Sequence, residues 1–506
     1  MLGVVVLCIC SILIHQLWLK SQTLRSKLRR QGIKGPRASL FQGNLPEMKR
    51  IQRGCDYVRA LYKPTCQVSH DWVHSLFPSF KYWSKLYGPT FACSLGNVKV
   101  MYVSEHEMVK EVTQYPSIKL GKPTNYNFQQ HIGPGILTSN GFDWAYHRQI
   151  VAPQLYMEKV KGMVNIVLES ADLLASSWEM KIKGEGGGAQ DIRIDEDLRK
   201  FSANVISQTC FGRSYSKARD IFVNLKALQQ LMSKSSNNPI PIGLAGAPYF
   251  PTKNNKEMRR LAKEIRSSIS KMVEERKFAT GEDLLQAIID RANNRNLTPE
   301  AANNSIVDSC NNIYFSSIEP TAMSACWTLI LLASNPDWQD RIRNELSQVC
   351  TGRVPDADTL RNMKLLNMVI QESLRLYPPV ALMSREALDE IKIGDFIVPK
   401  GVKVLVPVST LHRDKSVWGA DADEFKPERF ANGSSGACKL PQLYLPFGAG
   451  PRTCAGQNLA MVELKILLSL LLSRFSFAVS PKYRHSPVLK FFVEPEYGAN
   501  LLVQRV

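Results

Sequence analysis

Several sequence features that define other classes of protein are missing from this chain of 506 residues. No repeat recurs at a period of about 20–50 residues, which argues against a solenoid or a propeller. The net charge is +19, but no zinc-finger, RNP or homeodomain pattern is present. The absence of these patterns disfavours nucleic acid as a partner. No GxGxxG fingerprint marks a dinucleotide site. The eleven cysteines form no tight framework, and their odd number is typical of free thiols in a reducing compartment.

No long linker rich in proline, glycine or serine divides the chain. The nearest candidate, GEGGGAQ at 184–190, is short enough to be a surface loop between helices. The length alone would allow roughly three average domains. The absence of a linker instead predicts one large domain over residues 37–506, preceded by a short N-terminal segment.

The N-terminal segment is apolar first and basic second. Residues 1–20 are mostly apolar and approach the roughly 20 residues that a membrane-spanning helix needs. Residues 21–36 carry basic side chains and end in the turn-rich GIKGP. A cleaved signal peptide normally has the opposite order, with its charge in front. The observed order predicts an uncleaved transmembrane anchor at 1–20, a basic hinge at 21–36 and a cytosolic body. A signal peptide is the alternative.

Helical periodicity dominates the rest of the chain, and the predicted strands are short. The main predicted elements are two strands around Gly96-Asn97, a long buried helix at 306–332, a β-rich segment at 390–409, a helix at 456–474 and a terminal hairpin at 483–505. Together they predict a mainly α fold with small β-sheets, of the α+β class.

The most informative stretch is LPFGAGPRTCAGQNLAMVELKILLSLLL at 445–472. Its glycines make an irregular loop, and Cys454 follows just before a helix that begins near Gln457. A helix N-terminus and the amides of such a loop can stabilise a thiolate, which is the form of cysteine that binds metals. Haem iron can take a thiolate as its axial ligand, which favours cleavage of the O–O bond. A buried structural cysteine is the alternative interpretation.

The spacing FGxGxRxCxG is met in full by Phe447, Gly448, Gly450, Arg452, Cys454 and Gly456. In this loop the chain resembles the cytochrome P450 superfamily, whose members hold haem b through an axial cysteine thiolate. The resemblance covers essentially the whole chain. It implies the P450 fold and a haem-thiolate monooxygenase, with Cys454 as the ligand to iron and with Phe447 and Gly448 beside the haem.

Two further elements resemble the family in order and spacing. Glu372 and Arg375 match its ExxR, three residues apart on one helical face, where opposite charges meet. Arg429 lies in FKPERF, which resembles the element whose arginine joins that pair in a buried network. The resemblance gives these residues a structural role, which is to hold the cysteine loop. A solvated surface pair is the alternative for ExxR taken alone.

Another element, GFDWAYHRQI, resembles the family's WxxxR through Trp144 and Arg148, one helical turn apart. The resemblance assigns both residues, together with Arg452, to the haem propionates. An arginine fork suits a carboxylate. A surface arginine beside a core tryptophan is the alternative.

Longer stretches, including LGKPTNYNFQQHIGPGILTSNGFDWAYHRQIVAPQL, look like a plant branch known as clan 72 and are most similar to its gibberellin-oxidising members. Gibberellins are tetracyclic diterpenoid acids. By analogy, the substrate-facing positions are the 115–140 loop, Ser316-Ser317, Val380–Met383 and Phe491-Phe492. An apolar pocket with few polar groups would suit such a ligand. Lys119, Lys122 or Arg385 could pair with its carboxylate, or each could be solvated or structural.

The resemblance also implies partners. Members of the family typically take electrons from NADPH through an acidic flavoprotein, NADPH-cytochrome P450 reductase, which docks on the cysteine side. A basic surface suits that partner, because complementary charge mainly speeds encounter. With the predicted anchor, the resemblance implies a single-pass protein of the endoplasmic reticulum membrane that uses O2 and a hydrophobic substrate.

The long helix departs from the family pattern. Most members carry (A/G)Gx(D/E)TT, whereas this chain has Ser316-Ser317-Ile318-Glu319-Pro320-Thr321. The acid is kept, but the alcohol that helps deliver protons to dioxygen is replaced by Pro320. The missing amide of Pro320 also frees the carbonyl of Ser316. Glu319 and Thr321 are therefore the candidate catalytic residues.

This departure leaves three interpretations. In the first, the protein remains a monooxygenase whose proton relay uses Ser316, Ser317 or Thr321 with ordered water. In the second, it rearranges an oxygenated substrate and needs no dioxygen relay. In the third, the oxygen chemistry is weakened and the protein binds haem or another ligand. The retained Glu319, the intact cysteine loop and the intact ExxR favour the first.

Overall fold

Long helices build most of the molecule, and short strands complete it. The computed structural model describes residues 20–39, 42–61, 65–124, 129–184, 188–212, 215–236, 252–276, 283–294, 297–351, 355–356 and 358–506. The α-helices are α1 (Lys20–Arg30), α2 (Leu45–Leu61), α3 (Val73–Leu76), α4 (Pro78–Tyr87), α5 (His106–Gln114), α6 (Gln129–Ile132), α7 (Gly141–Gln154), α8 (Met157–Lys161), α9 (Val164–Gly184), α10 (Ile194–Phe211), α11 (Tyr215–Ser236), α12 (Lys253–Arg276), α13 (Leu284–Asn293), α14 (Pro299–Ala333), α15 (Pro336–Cys350), α16 (Thr359–Asn362), α17 (Lys364–Leu376), α18 (Val408–Leu411), α19 (Lys415–Trp418) and α20 (Gln457–Arg474). The strands are β1 (Thr90–Leu95), β2 (Val98–Val103), β3 (Leu120–Gly121), β4 (Gln190–Arg193), β5 (Met383–Ala387), β6 (Ile391–Ile393), β7 (Phe396–Val398), β8 (Lys403–Val406), β9 (Phe475–Val479), β10 (Pro487–Leu489), β11 (Val493–Pro495) and β12 (Asn500–Arg505).

The largest sheet has five strands in the order β1-β2-β8-β5-β3. β1 and β2 form an antiparallel hairpin in which Leu95 pairs with Val98. β2 pairs in parallel with β8, and β8 pairs antiparallel with β5, so that Arg385 stands opposite Val404. A second sheet has the order β4-β12-β9, and β6-β7 and β10-β11 are separate pairs.

Helix α14 runs through the core of the fold. Pro299 occupies its first turn, where a missing amide costs little, and the Thr298 hydroxyl accepts from the amide of Ala301 at 3.3 Å. Nearly every side chain from Ile306 onward is buried, so the helix is surrounded by the core on most of its sides. It packs against α10, α12, α17 and α20.

The predicted fold class is confirmed, while several predicted boundaries differ. The helix predicted at 306–332 in fact begins at Pro299. The prediction missed its first turns because their side chains are mostly polar and lie outside the apolar stretch. The terminal segment is not one hairpin. β10 pairs with β11, and β12 instead joins β4 and β9.

The basic N-terminal stretch is helical up to Arg30 and turns at Gly32, whose φ is +88°. The side chain of Gln31 then bonds to both the carbonyl and the amide of Ile397, at 2.8 and 2.6 Å. Within the described ranges, no helix is long and apolar enough to cross a membrane. The predicted anchor at 1–20 lies outside the described residues, apart from Lys20.

Candidate functional site

A cavity of about 900 Å³ lies against the cysteine loop. Its walls come from that loop and from α7, α14, β5 and the segment before β11. The predicted site residues that line it are Trp144, Arg148, Ser316, Ser317, Thr321, Phe447, Gly448, Arg452 and Cys454. Motifs that lie far apart in the sequence therefore meet at one place in the fold.

The cysteine loop takes its shape from its glycines. Gly448 and Gly450 each have a φ of +69°, a conformation that favours glycine. A Cβ at Gly450 would lie 2.0 Å from the carbonyl oxygen of Thr113, so only glycine fits between the loop and α5. The amide of Cys454 donates to the carbonyl of Phe447 at 2.9 Å. This bond closes the loop and places the cysteine just before α20.

The Cys454 side chain is exposed to the cavity. Burial by the surrounding protein raises the pKa of this thiol, while the amide of Gly456 and the positive charge of Arg148 act to lower it. A metal ion overrides such a rise, because it deprotonates a coordinating thiol outright. The surroundings of Cys454 therefore suit a metal-bound thiolate better than a free nucleophile.

Four of the cationic side chains that line the cavity are close enough to act on one another's charge: Lys122, Arg148, Arg385 and Arg452. Burial, and then the charges of Arg385 and Arg148, lower the pKa of Arg452 to about 9. Burial and the same arginine cluster lower the pKa of Lys122 to about 7. The Nε and Nη1 atoms of Arg452 are buried and have no hydrogen-bond partner in the described part of the chain. The carboxylates of the haem propionates would supply both the acceptors and the opposite charge.

The predicted propionate residues are already oriented by their neighbours. Nη1 of Arg148 donates to the carbonyl oxygen of Thr453, and Nη2 of Arg452 donates to Oδ1 of Asn140 at 2.9 Å. The Arg452 guanidinium carbon lies 4.6 Å from the centre of the Trp144 ring, which is a cation–π contact. Trp144 therefore supports Arg452 as well as lining the cavity.

The placement of Lys122 and Arg385 favours a role beside the haem propionates over the contact with a substrate carboxylate suggested by the sequence. Both residues interact electrostatically with Arg452, at the edge of the cavity that fits the propionates. Lys119 is exposed and is not among the residues that line the cavity. The Asn140 side chain holds Lys122 by bonding to its amide at 2.6 Å and its carbonyl at 2.8 Å. Sequence spacing gave no sign of this link between β3 and α7.

Glu372 and Arg375 form a completely buried ion pair, with both side chains 0% exposed. Nε and Nη2 of Arg375 donate to the carboxylate at 2.6 and 2.8 Å. Its Nη1 donates to the carbonyl oxygens of His412 and Ala422 at 2.8 and 2.6 Å. Arg429 lies 3.6 Å from Glu372, so the three predicted residues stand together. The pair fixes the backbone of the segment that leads to the cysteine loop.

His412 connects the buried ion pair to the cysteine loop, and no motif predicted it. Its Nδ1 lies 3.1 Å from the carbonyl oxygen of Arg375, and its Nε2 lies 2.8 Å from the amide of Leu445. An amide can only donate, so Nε2 accepts, Nδ1 carries the hydrogen and the ring is neutral. Leu445 begins the loop that ends at Cys454. A lone histidine within LHRDKS carries no local pattern that could have revealed this role.

Acidification should destabilise the fold through His412. Burial, and next the charge of Arg375, lower the pKa of His412 to about 3, whereas an unfolded histidine titrates near 6.5. The unfolded state therefore binds the proton first. As the pH falls from about 6.5 towards about 3, this residue should remove about 1.4 kcal/mol of unfolding free energy per pH unit.

The measurement is urea unfolding of the wild type and of His412→Gln at about pH 6.5 and about pH 4.5, within that window. Glutamine keeps a donor and an acceptor but does not titrate, so we expect a shallower loss of stability in the variant. Equal losses in the two proteins would show that another group controls the acid sensitivity.

One face of α14 turns hydroxyl groups towards the cavity, on both sides of Pro320. The hydroxyls of Ser316 and Ser317 donate to carbonyls four residues back, each at 2.8 Å. Thr321 donates to Ser317 at 3.3 Å, and Ser324 donates to Pro320 at 2.8 Å. Their oxygens keep lone pairs that can accept a hydrogen bond. Ser324, which the motif comparison overlooked, lies one turn beyond Pro320.

Glu319 is not among the residues that line the cavity. Nε of Arg199 lies 3.0 and 2.9 Å from its two carboxylate oxygens. The same guanidinium bonds to Asp195 at 2.8 Å and to Glu494 at 2.9 Å. Of the two predicted catalytic residues, the structure thus places Thr321 in the cavity and Glu319 in an ion-pair cluster. Arg199 lies 120 residues away in sequence, so no local pattern could show the pairing.

Part of the predicted substrate-facing loop at 115–140 is fastened to α14. Nδ2 of Asn312 donates to the carbonyl of Ile132 at 3.3 Å, and its Oδ1 accepts from the amide of Leu137 at 3.2 Å. Leu137 lines the cavity, as predicted for this loop. Residues 125–128 lie outside the described residues.

Comparison with known proteins agrees with this site. The cytochrome P450 family pattern matches residues 65–503. Cytochrome P450 714C2 of Oryza sativa subsp. japonica is 45% identical over 500 residues, which cover 97% of this chain and 94% of the relative. Cytochrome P450 714B3 of Zea mays is 43% identical over 505 residues, or 98% of this chain and 93% of the relative. Cytochrome P450 714A2 of Arabidopsis thaliana is 42% identical over 491 residues, or 95% of this chain and 93% of the relative.

These matches confirm the predicted family, its oxidoreductase activity and its haem cofactor with a cysteine thiolate as axial ligand. All three relatives are plant proteins, in agreement with the predicted plant branch. The chain belongs to the cytochrome P450 family of haem-thiolate monooxygenases.

Proposed function

We propose that this monooxygenase inserts one oxygen atom from O2 into a hydrophobic plant diterpenoid acid, such as a gibberellin. The observation that carries the proposal is the apolar wall of the cavity beyond the cation cluster. Its main members are Ile313, Phe315, Val380, Leu382, Phe491 and Phe492. A rigid hydrocarbon skeleton would lose its contact with water against these side chains, which favours binding.

The chain's own residues would hold the cofactor and deliver protons. Cys454 would bind the iron of the haem, which supplies the oxygen-activating chemistry, and Arg148 and Arg452 would bind its propionates. Thr321 and Ser324 stand beside Pro320, where most family members have an alcohol. Their hydroxyls can accept a hydrogen bond from ordered water while donating to the helix backbone. We assign proton delivery to these two hydroxyls.

In the proposal, electrons come from NADPH through NADPH-cytochrome P450 reductase. The excess of 64 basic over 45 acidic residues supports an acidic protein as the electron donor. The basic helix α1 follows the predicted anchor, which supports a position on the cytosolic face of the endoplasmic reticulum membrane.

The test uses the purified full-length protein with a plant reductase, NADPH and a panel of terpenoid acids. We expect mass spectrometry to find a diterpenoid product that carries one added oxygen derived from isotopically labelled O2. Turnover of an organic hydroperoxide without reductase, and without label from O2, would instead support a rearrangement. Binding of haem and ligand without turnover would support a binding protein. Either result would overturn the proposal.

Pro320→Thr should raise the fraction of NADPH consumption that appears as oxidised product. The new hydroxyl would stand at the position of the family's alcohol, and coupling is measured as product formed per NADPH. Pro320→Ala is the matched control, since it restores the amide without adding a hydroxyl. Equal gains in both variants would assign the effect to the restored backbone hydrogen bond from the amide of residue 320 to the carbonyl of Ser316. No gain in either would show that proton delivery does not pass through this position.

A further inference from the structure

Tyr377 is held in a buried stack of aromatic rings behind the cavity. Its ring centre lies 4.3 Å from that of Trp327 and 5.5 Å from that of Trp72, with interplanar angles of 13° and 15°. The stack begins next to the cavity, because Pro379 and Ser324 both line it. Pro379 is two residues beyond the tyrosine, and Ser324 is one helical turn before Trp327. None of these three rings lines the cavity itself.

The hydroxyl of Tyr377 has a defined proton acceptor. It lies 2.9 Å from Nδ1 of His70 and 3.3 Å from Nε2 of His485. That Nε2 also lies 2.7 Å from the carbonyl oxygen of Ser69, which can only accept. Nδ1 of His485 lies 2.9 Å from the hydroxyl of Tyr483. Nε2 of His485 therefore carries its hydrogen and cannot accept from the phenol of Tyr377. The carbonyl oxygen of Ser69 lies 3.4 Å from that phenol, so Nδ1 of His70 is the nearer acceptor.

At neutral pH the phenol is protonated and the imidazole is neutral, which are the states that a transfer from Tyr377 to His70 requires. Burial, and next the charge of Arg413, lower the pKa of His70 to about 3, so its ring is neutral at neutral pH. Burial raises the pKa of Tyr377, so the phenol keeps its proton at rest. His70 is partly exposed and Ser69 is exposed, so a proton taken up here is close to solvent.

We propose that Tyr377 is a redox-active residue that reduces an oxidant formed from O2 at the haem when no substrate consumes it. The phenolic O–H bond breaks, and its proton moves to Nδ1 of His70. One electron passes through Trp327 to the oxidised haem and leaves a neutral tyrosyl radical. An external thiol or ascorbate then returns one electron, and His70 returns the proton.

The proposal is tested with the full-length ferric holoprotein, mixed with peracetic acid without substrate, freeze-quenched and examined by electron paramagnetic resonance. We expect a tyrosyl signal in the wild type that is lost in Tyr377→Phe. Tyr497→Phe is the matched control, because Tyr497 is 55% exposed and outside the stack, and it should retain the signal. An unchanged signal in Tyr377→Phe, or no tyrosyl signal in the wild type, would overturn the proposal.

A second variant decides the matter if Tyr377→Phe fails to fold. His70→Leu keeps the phenol and removes its proton acceptor. We expect a lower radical yield and faster bleaching of the haem absorbance for each addition of peracetic acid. An unchanged radical yield in His70→Leu would exclude the proton path and, with it, the proposal. The carbon monoxide-bound thiolate absorption must be equal in all the proteins compared.

Discussion

Replacement of Cys454 by alanine is expected to abolish the thiolate-ligated haem absorption of the reduced, carbon monoxide-bound protein, together with its oxygenase activity. The loop geometry presents this one sulfur at the start of α20, where the amide of Gly456 faces it. A neighbouring residue could not replace it, because the short loop is fixed by the bond from the Cys454 amide to Phe447. Absorption spectroscopy of the purified variant makes the measurement.

Cys210→Ala is the matched control for this experiment. Cys210 also lines the cavity, but it is 1% exposed within α10, and burial raises its pKa to about 12. Cys210 lies inside a helix and outside the glycine-shaped loop, so it is not placed to bind the iron that Cys454 would hold. Cys210→Ala should therefore keep the absorption band. Survival of the band in Cys454→Ala would contradict the ligand assignment.

The second large effect is expected from Glu372→Gln, which should lower the free energy of unfolding by about 3–5 kcal/mol. The substitution removes the charge that compensates Arg375, while the guanidinium stays buried among backbone carbonyls. The cysteine loop should loosen as well, because Arg375 also fixes the segment that carries His412. Urea unfolding of the holoprotein, followed by circular dichroism and by haem absorbance, measures both losses.

Asp358→Asn provides the same chemical change at a surface pair. Asp358 and Arg361 lie 3.7 Å apart with their side chains 84% and 63% exposed. Breaking such a pair should cost no more than about 1 kcal/mol, because water screens both charges. If the two amide variants lost equal stability, the buried pair would not have the structural role assigned to it.

Features fixed by local spacing could be predicted from the sequence. Gly448, Gly450 and Cys454 lie in one short loop, and the geometry of that loop follows from the glycines themselves. Glu372 and Arg375 lie three residues apart on one helix, so helical geometry alone brings them together. The long buried helix could also be predicted, because a long stretch rich in apolar side chains favours burial on every side.

Features that depend on distant contacts could not be predicted in this way. His412 acquires its role from Leu445, which lies 33 residues away, and its sequence neighbours gave no sign of it. The motif predicted a role for Glu319, but it could not predict the ion pair with Arg199, which comes from another helix. Lys122 acquires its surroundings from Arg452, on a loop more than 300 residues later in the chain.

The cluster of Lys122, Arg148, Arg385 and Arg452 has a consequence for the fate of the newly made chain. Its like charges oppose folding, so a haem whose propionates bind there would act as a counter-ion for the fold as well as a cofactor. A ligand at about 1,000 times its dissociation constant stabilises the folded state by about 4.1 kcal/mol. The amount of folded enzyme in a cell should therefore follow the supply of haem. A cell starved of haem should lose the chain to proteolysis and should not store it as stable apoprotein.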